Sequence, residues 1–184
     1  MKAYTYTSNS EYETLTFAKD FARTLKVGDV IVLSGDLGAG KTKFTEGILS
    51  YFGLDSEISS PTFTIVNEYK NNDISIFHFD VYRLEDVDEF YAIGGEEYFE
   101  KGICIIEWGE IIKDALPKEY IQINFLKDSI DENKRLIEVS VFWFLETADF
   151  WGQVQKTVFY QLCIGDDIFY ENTINWNFKQ NVWS

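Results

Sequence analysis

Apolar residues recur along the chain with two periods, and the period changes where one predicted element gives way to the next. Residues 3–7 alternate between tyrosine and smaller side chains, which predicts a short edge strand. Ser10 and Glu13 have the spacing of a helix capping box, and apolar residues then follow at helical spacing. This pattern predicts a first helix of about 14 residues that ends near Gly28.

The next elements are a strand and a helix joined by a glycine-rich segment. Residues 29–33 form a short apolar run, which predicts a buried strand. Residues 43–52 have helical spacing, and Gly53 is well placed to end this second helix. Gly47 lies in its interior, where glycine costs about 1 kcal/mol relative to alanine. One interpretation of this glycine is close packing against another element.

The second half of the chain predicts two hairpins with a buried strand between them. The residues at 103–106 are all apolar, which indicates a strand buried on both faces. The other predicted elements are strands 63–69 and 74–80 around a turn at 71–73, short helices at 85–91 and up to 100, a helix at 109–115, and strands 120–126 and 135–142 around a polar turn at 127–134.

The glycine-rich segment at 35–42 fits the phosphate-binding loop G-x-x-x-x-G-K-[ST], with a strand before it and a helix after it. Its glycines let successive backbone N–H groups point at phosphate oxygens, and the helix N-terminus favours the same anion. Lys41 supplies a charge for the β- and γ-phosphates, and the Thr42 hydroxyl suits Mg²⁺. The chain is therefore predicted to bind a nucleotide, through Gly35, Asp36, Leu37, Gly38, Ala39, Gly40, Lys41, Thr42, Lys43 and Trp108.

These elements predict an α/β fold of the P-loop NTPase type. We expect three layers, α/β/α, with a mixed, largely parallel central sheet and antiparallel hairpins. Residues 1–142 are assigned to this domain. Residues 143–184 are rich in aromatic side chains with weak periodicity, and we interpret them as a C-terminal extension. Their pattern fits a helix and a strand that cover the sheet edge, and it equally fits a poorly ordered appendage.

Composition limits where the protein acts. Of the 184 residues, 46% are hydrophobic and 17% aromatic, enough for a packed core. No segment approaches the roughly 20 apolar residues of a membrane span, and the first residues have no apolar export signal. Cys104 lies in an apolar strand, far from Cys163, which indicates a reduced buried thiol. We therefore expect a cytoplasmic protein that does not associate with membranes.

The net charge of −15 argues against direct binding to nucleic acid. The 16 basic residues are scattered among 31 acidic ones, and no local run of lysine and arginine occurs. A protein that grips DNA or RNA normally presents a basic patch to the phosphates. We expect no DNA partner, and we expect any RNA to be held by another protein.

Two acidic residues follow apolar strands, where the sites of open α/β sheets are found. Asp80 ends one strand and Glu107 ends the next. We favour Glu107 as the Mg²⁺-site residue and Asp80 as the base or an outer metal ligand, although the reverse assignment remains open. Thr62 lies where nucleotide switches carry a hydroxyl that senses the γ-phosphate, and an ordinary strand entry is the alternative.

Three further residues allow more than one interpretation. His78, the only histidine, shares a strand face with Asp80, and a structural role is the more common one for such a residue. Trp108 is either a core aromatic or a lid beside the nucleotide. Arg83 can reach a phosphate or form an ion pair with the acidic segment 85–89.

Several blocks of sequence together resemble the TsaE (YjeE-type) family, the bacterial ATPases of tRNA threonylcarbamoyladenosine synthesis. The blocks are GDLGAGKT at 35–42, SPTFT at 60–64, NEY at 67–69, HFDVYRL at 78–84 and EW at 107–108. Their order and separations are similar to the family over roughly residues 5–142. Lys43 and Gly109 depart from the family pattern, which commonly has a hydroxyl residue and a proline at these positions. The extension has no family counterpart.

The resemblance implies a compact P-loop fold, ATP with Mg²⁺, weak hydrolysis in isolation and docking onto a complex of the TsaB and TsaD proteins. That complex modifies tRNA, so the chain would meet tRNA only indirectly. The resemblance also implies that Lys41 and Thr42 bind phosphate and Mg²⁺, that Glu107 belongs to the Mg²⁺ site, and that Asp80 and Thr62 serve hydrolysis and switching. A small-molecule or nucleoside kinase and a nucleotide-gated assembly subunit remain as alternatives.

Overall fold

The structure is a computed structural model that describes residues 3–54 and 58–143. Two 3₁₀ helices, Gly95–Tyr98 and Gly109–Ala115, lie before and after the strand Ile103–Glu107 in the chain. Among the described residues, no helix is long and apolar enough to cross a membrane. The strands and α-helices in chain order are β1 (Ala3–Ser8), α1 (Glu11–Ala22), β2 (Val30–Ser34), α2 (Lys41–Tyr51), β3 (Val66–Lys70), β4 (Ser75–Asp80), α3 (Val87–Ala92), β5 (Ile103–Glu107), β6 (Glu119–Lys127) and β7 (Arg135–Trp143).

The seven strands form one mixed sheet in the order β1-β7-β6-β2-β5-β4-β3. The four inner strands β6, β2, β5 and β4 are parallel, and the outer pairs β1/β7, β7/β6 and β3/β4 are antiparallel. The carboxyl ends of parallel strands meet at one edge of a sheet. This edge therefore brings together the residues that end β2, β4 and β5, namely Ser34, Asp80 and Glu107.

Buried side chains fill both faces of the sheet, which confirms the predicted three layers. On one face, alternate residues of β2 and β5 such as Ile31 and Ile105 join the apolar sides of α1 and α2. On the other face, Val32 and Ile106 contact the cluster around Phe90 of α3. Each such buried side chain contributes about 1.5–3 kcal/mol, so the sheet is held from both sides.

Two element boundaries differ from the predicted ones by three residues or more. Helix α1 ends at Ala22 because the next turn closes with shorter i→i+3 bonds, and the Thr24 hydroxyl also donates to the Phe21 carbonyl at 2.8 Å. Strand β3 begins at Val66 rather than at residue 63. The Pro61 carbonyl accepts hydrogen bonds from two backbone N–H groups of the following residues, which folds 61–65 into a tight turn.

Helices α1 and α2 cross at Gly47, as its place in the helix interior suggested. A Cβ atom on this residue would lie 2.5 Å from the Cβ of Ala18 and 2.5 Å from the carbonyl oxygen of Leu15. Real Cβ atoms do not approach other atoms so closely, so the two helix backbones can meet here only through glycine.

Gly47→Ala is expected to lower the free energy of unfolding, although alanine is the better helix former. The gain in helix propensity is about 1 kcal/mol, whereas overpacking a core position typically costs about 1–3 kcal/mol. At Gly47 the added methyl group would press against a backbone carbonyl as well as a side chain, which favours the larger cost. Urea unfolding should show a lower midpoint with an unchanged slope. Ser50→Ala on the same helix is the control, expected within about 0.5 kcal/mol of the wild type. A midpoint for Gly47→Ala above the wild type would contradict the tight helix contact.

Cys104 is fully buried in β5, and burial raises the pKa of its thiol to about 12. Because the thiolate is the reactive form, the folded protein should protect this thiol at pH 8. In a Cys163→Ser variant, we expect almost no reaction with a disulfide reagent until denaturant is added, and then one thiol per chain. Rapid labelling under native conditions would show that β5 opens readily.

The predicted extension lies outside the described residues, apart from Trp143 at the end of β7. The boundary between a domain at 1–142 and an extension at 143–184 stays a prediction.

Candidate nucleotide-binding site

The phosphate-binding loop leaves β2 at Ser34 and enters α2 at Lys41, as predicted. Gly35 has a φ of +141°, and a Cβ atom there would lie 2.6 Å from the carbonyl oxygen of Phe125 in β6. Gly40 is the N-cap of α2, with a φ of +109° and no side-chain capping bond. The first N–H groups of α2 therefore have no bond to an N-cap side chain, and uncapped N–H groups at a helix N-terminus suit an anion.

Lys41 is folded back over the loop and is only 5% exposed. Its Nζ donates to the carbonyl oxygens of Gly35 at 2.7 Å and Asp36 at 3.2 Å. The same Nζ lies 4.7 Å from the centre of the Trp108 ring. The ammonium group is therefore held inside the loop beside Trp108, which also packs against the apolar cluster around Phe90, so Trp108 has features of both predicted roles.

Glu107 lies at the centre of the polar contacts and is 5% exposed. The Thr42 hydroxyl donates to its Oε1 at 3.3 Å, and Lys41 Nζ is 3.9 Å from its Oε2. His78 Nε2 is 3.1 Å from Oε1, which suits an Nε2–H tautomer that donates to the carboxylate. Within the described part of the chain, His78 Nδ1 has no hydrogen-bond partner.

Asp80 is next to Glu107 in the register of β4 and β5, but its carboxylate has different partners. The Thr62 hydroxyl donates to Asp80 Oδ2 at 2.7 Å, and the Tyr82 backbone N–H donates to Oδ1 at 3.2 Å. Asp80 is also only 5% exposed. The two acids therefore divide the site, with Glu107 beside Thr42 of the loop and Asp80 beside Thr62.

The tight turn before β3 connects Thr62 to the strand that carries Asp80. Its last residue, Ile65, has a φ of +65°, which is unfavourable for a β-branched side chain. The Ile65 carbonyl accepts a hydrogen bond from the Asp80 backbone N–H at 2.9 Å. Strained backbone of this kind persists where surrounding contacts hold it, and it is common at functional sites.

Two basic residues that the sequence analysis did not assign to the site hold the outer side of the loop. Lys127 Nζ donates to the Leu37 carbonyl at 2.6 Å. Arg135 donates from Nε to the Ala39 carbonyl at 3.1 Å and from Nη2 to the Gly38 carbonyl at 3.4 Å. Both residues flank the polar turn between β6 and β7, and their role is visible only from the strand order, in which β6 lies beside β2 and β7 lies beside β6.

Other predicted residues lie further from the centre of the site. Lys43 points along α2 to Glu46, with 2.6 Å between Nζ and Oε2, rather than into the loop. Leu37, at the tip of the loop, is 85% exposed. The Arg83 guanidinium lies 4.6 Å from the centre of the Phe63 ring, and among the described residues it forms no ion pair with the acidic segment 85–89.

The residues at the site suit a nucleotide with Mg²⁺. Among the described residues, no group of three or more His, Cys, Asp or Glu side chains could form a metal cage of protein ligands alone. Mg²⁺ usually takes only one or two protein oxygens and completes its shell with phosphate and water. The Thr42 hydroxyl and the Glu107 carboxylate, in contact with each other, offer such a pair beside an uncapped helix N-terminus.

Comparisons with known proteins agree on one family. The family model described as "Threonylcarbamoyl adenosine biosynthesis protein TsaE" matches residues 8–137. The TsaE protein of Rickettsia conorii is 44% identical over 135 residues, which cover 73% of this chain and 76% of the relative. The TsaE protein of Bacillus subtilis is 42% identical over 135 residues, 73% of this chain and 84% of the relative. The crystal structure of Bacillus subtilis YdiB has a TM-score of 0.63 at 34% identity and covers 77% of this chain and 86% of its own.

Proposed function

The chain belongs to the TsaE family, and we propose that it binds and hydrolyses Mg-ATP for the threonylcarbamoyladenosine modification of tRNA. In this proposal it acts on a complex of TsaB-type and TsaD-type proteins. Support for the modification pathway comes from the family match over residues 8–137 and from curated relatives at more than 40% identity.

The contact of Glu107 with both Thr42 and Lys41 is the observation that carries the proposal. A loop lysine, a helix-start hydroxyl and a strand-end carboxylate meet within 3.9 Å at one edge of the sheet. A structural glycine turn has no need for these three groups together. Phosphoryl transfer does need them, because its catalysis is almost entirely positioning and charge stabilisation.

The loop and the side chains beside it have defined parts in this proposal. Backbone N–H groups of the loop and of the α2 N-terminus bind phosphate oxygens. The Lys41 ammonium would leave the loop carbonyls to bind the β- and γ-phosphates, and Thr42 and Glu107 would hold Mg²⁺. The bound Mg²⁺ supplies charge that offsets the charge on the phosphates. His78 orients the Glu107 carboxylate through the 3.1 Å contact at its Oε1.

Asp80 and Thr62 form the hydrolytic and switching part of the site in this proposal. A carboxylate fixed by two hydrogen bonds is well placed to orient an attacking water or to accept its proton. The Thr62 hydroxyl can exchange its bond to Asp80 for a γ-phosphate oxygen, which would reorder the segment from Ser60 to Ile65.

The positions of the three arginines favour an ATPase over a small-molecule kinase. Kinases clamp the transferred phosphoryl group with cationic side chains. Arg23 pairs with Asp20 on α1 at 3.2 Å, Arg135 holds carbonyls on the outer side of the loop, and Arg83 stacks on Phe63. The net charge of −15 likewise favours a role in which partner proteins hold the tRNA.

The test is ATP hydrolysis by the purified chain, alone and with the TsaB–TsaD pair from the same genome. We expect weak turnover alone and strong stimulation by the pair, which disappears in Lys41→Ala. Turnover that does not change when the pair is added would favour a small-molecule or nucleoside kinase, which a screen of phosphate acceptors would then test. ATP binding without hydrolysis, even with the pair present, would indicate that the chain is a nucleotide-gated assembly subunit.

A further inference from the structure

We propose that a groove next to Asp80 is a docking surface for a partner protein whose contact face is apolar at its centre and basic around it. The groove has a volume of about 380 Å³ and is lined mainly by Phe63, Ile65, Arg83, Leu84, Glu89 and Ile93. We call it the Phe63 groove. The inference rests on the proposed function, because the partner it concerns is the TsaB–TsaD complex.

Large apolar side chains are exposed in and beside the Phe63 groove. Phe63 is 84% exposed, and the Arg83 guanidinium lies over its ring, 4.6 Å from the ring centre. Tyr82 and Ile93 are also exposed. Clustered exposed apolar groups of this kind mark interaction sites, and aromatic and arginine side chains are the usual anchors of protein interfaces.

The charge around the groove selects the partner. Residues 85–100 contain seven acidic residues and no basic one, and four of the acidic residues lie at 85–89 beside the groove. A second copy of this chain, with a net charge of −15, would be repelled from such a rim. Residues 144–184 carry five acidic and two basic residues, so they suit the rim no better. A basic surface on a different protein fits it.

The groove shares its wall with the nucleotide site. Phe63 directly follows Thr62, whose hydroxyl is bonded to Asp80 at 2.7 Å. Ile65, which lines the groove, accepts the Asp80 backbone N–H at 2.9 Å. A nucleotide that draws Thr62 away from Asp80 would therefore move the groove wall. Because coupling between two binding sites is reciprocal, the docked partner would change nucleotide affinity by the same factor.

The experiment measures the affinity of the full chain for the purified TsaB–TsaD pair, with Mg-ATP present. Phe63→Ala removes the exposed anchor, and Asp88→Lys reverses a charge at the rim. Tyr51→Ala and Asp73→Lys are matched controls. Both positions lie towards the end of the sheet where β4 begins, away from the end where β4 finishes at Asp80. We expect at least a tenfold loss of partner affinity for the two groove variants and wild-type affinity for the controls. Without the partner, Asp88→Lys, which lies outside the segment that the nucleotide would reorder, should bind ATP as tightly as the wild type.

The outcomes separate this inference from the proposed function. A wild-type chain that does not bind the pair would overturn both. A wild-type chain that binds, with Phe63→Ala binding equally well, would overturn the groove alone. A dimer of the wild type that Phe63→Ala converts to a monomer would assign the groove to a second copy. Tighter partner binding by Phe63→Ala would indicate that the chain's own residues cover the groove. Both this result and the dimer result would overturn the inference.

Discussion

Lys41→Ala is expected to weaken ATP binding and to abolish measurable hydrolysis. The ammonium group is buried in the loop, donates to the carbonyls of Gly35 and Asp36, and lies 3.9 Å from the Glu107 carboxylate. Hydrogen bonds to a charged group contribute about 1.5–3 kcal/mol, which corresponds to roughly a 10- to 150-fold rise in the Kd for ATP. Loss of a charge that stabilises the transition state lowers turnover by a further factor of about 10²–10³.

The measurements are the Kd for ATP and the rate of phosphate release with the TsaB–TsaD pair present. Lys101→Ala is the matched control, because Lys101 is exposed and its ammonium group contacts Glu97 and the Tyr98 ring on the surface. The thermal unfolding midpoint shows whether Lys41→Ala still folds. A folded Lys41→Ala that binds and hydrolyses ATP like the wild type would remove the loop from the proposed mechanism.

Glu107→Gln is expected to abolish Mg²⁺-dependent hydrolysis while the fold and Mg²⁺-free nucleotide binding survive. Glutamine keeps the shape and an acceptor oxygen for Thr42 and His78, but it lacks the negative charge that Mg²⁺ requires. Turnover should fall roughly 10²–10³-fold. In EDTA, ATP should bind at least as tightly as to the wild type, because one negative charge near the phosphates is gone.

Asp80→Asn is the paired variant that separates the two acids. We expect it to keep Mg²⁺-dependent ATP binding and to lose turnover, since Asp80 contacts Thr62 and the Tyr82 N–H rather than Thr42. Titration of Mg²⁺ in both an ATP-binding assay and a turnover assay measures the metal-holding role and the hydrolytic role separately. If Asp80→Asn loses Mg²⁺ dependence and Glu107→Gln retains it, the two roles are reversed.

The sequence by itself determined the features that lie in one contiguous stretch or repeat with a short period. The loop at 35–42 is one example, because its glycines, its lysine and the helix after it act through local backbone geometry. The capping box at Ser10 is another, and its side chain does accept the Glu13 N–H at 3.1 Å. Alternation and apolar runs likewise placed all seven strands, because burial on a sheet face repeats every second residue.

Only the tertiary structure decided which distant groups meet. Thr42 and Glu107 are 65 positions apart, and they touch because β2 and β5 are adjacent parallel strands. Asp80 and Glu107 look equivalent in the sequence, because each ends an apolar strand. The arrangement of the folded chain gives them different hydrogen-bond partners. Lys127 and Arg135 contact the loop because β6 pairs with β2 and β7 pairs with β6, and nothing in their local sequence indicates that contact. Strand order and register fix such contacts, and they are set by the packing of the whole sheet rather than by any short segment of the chain.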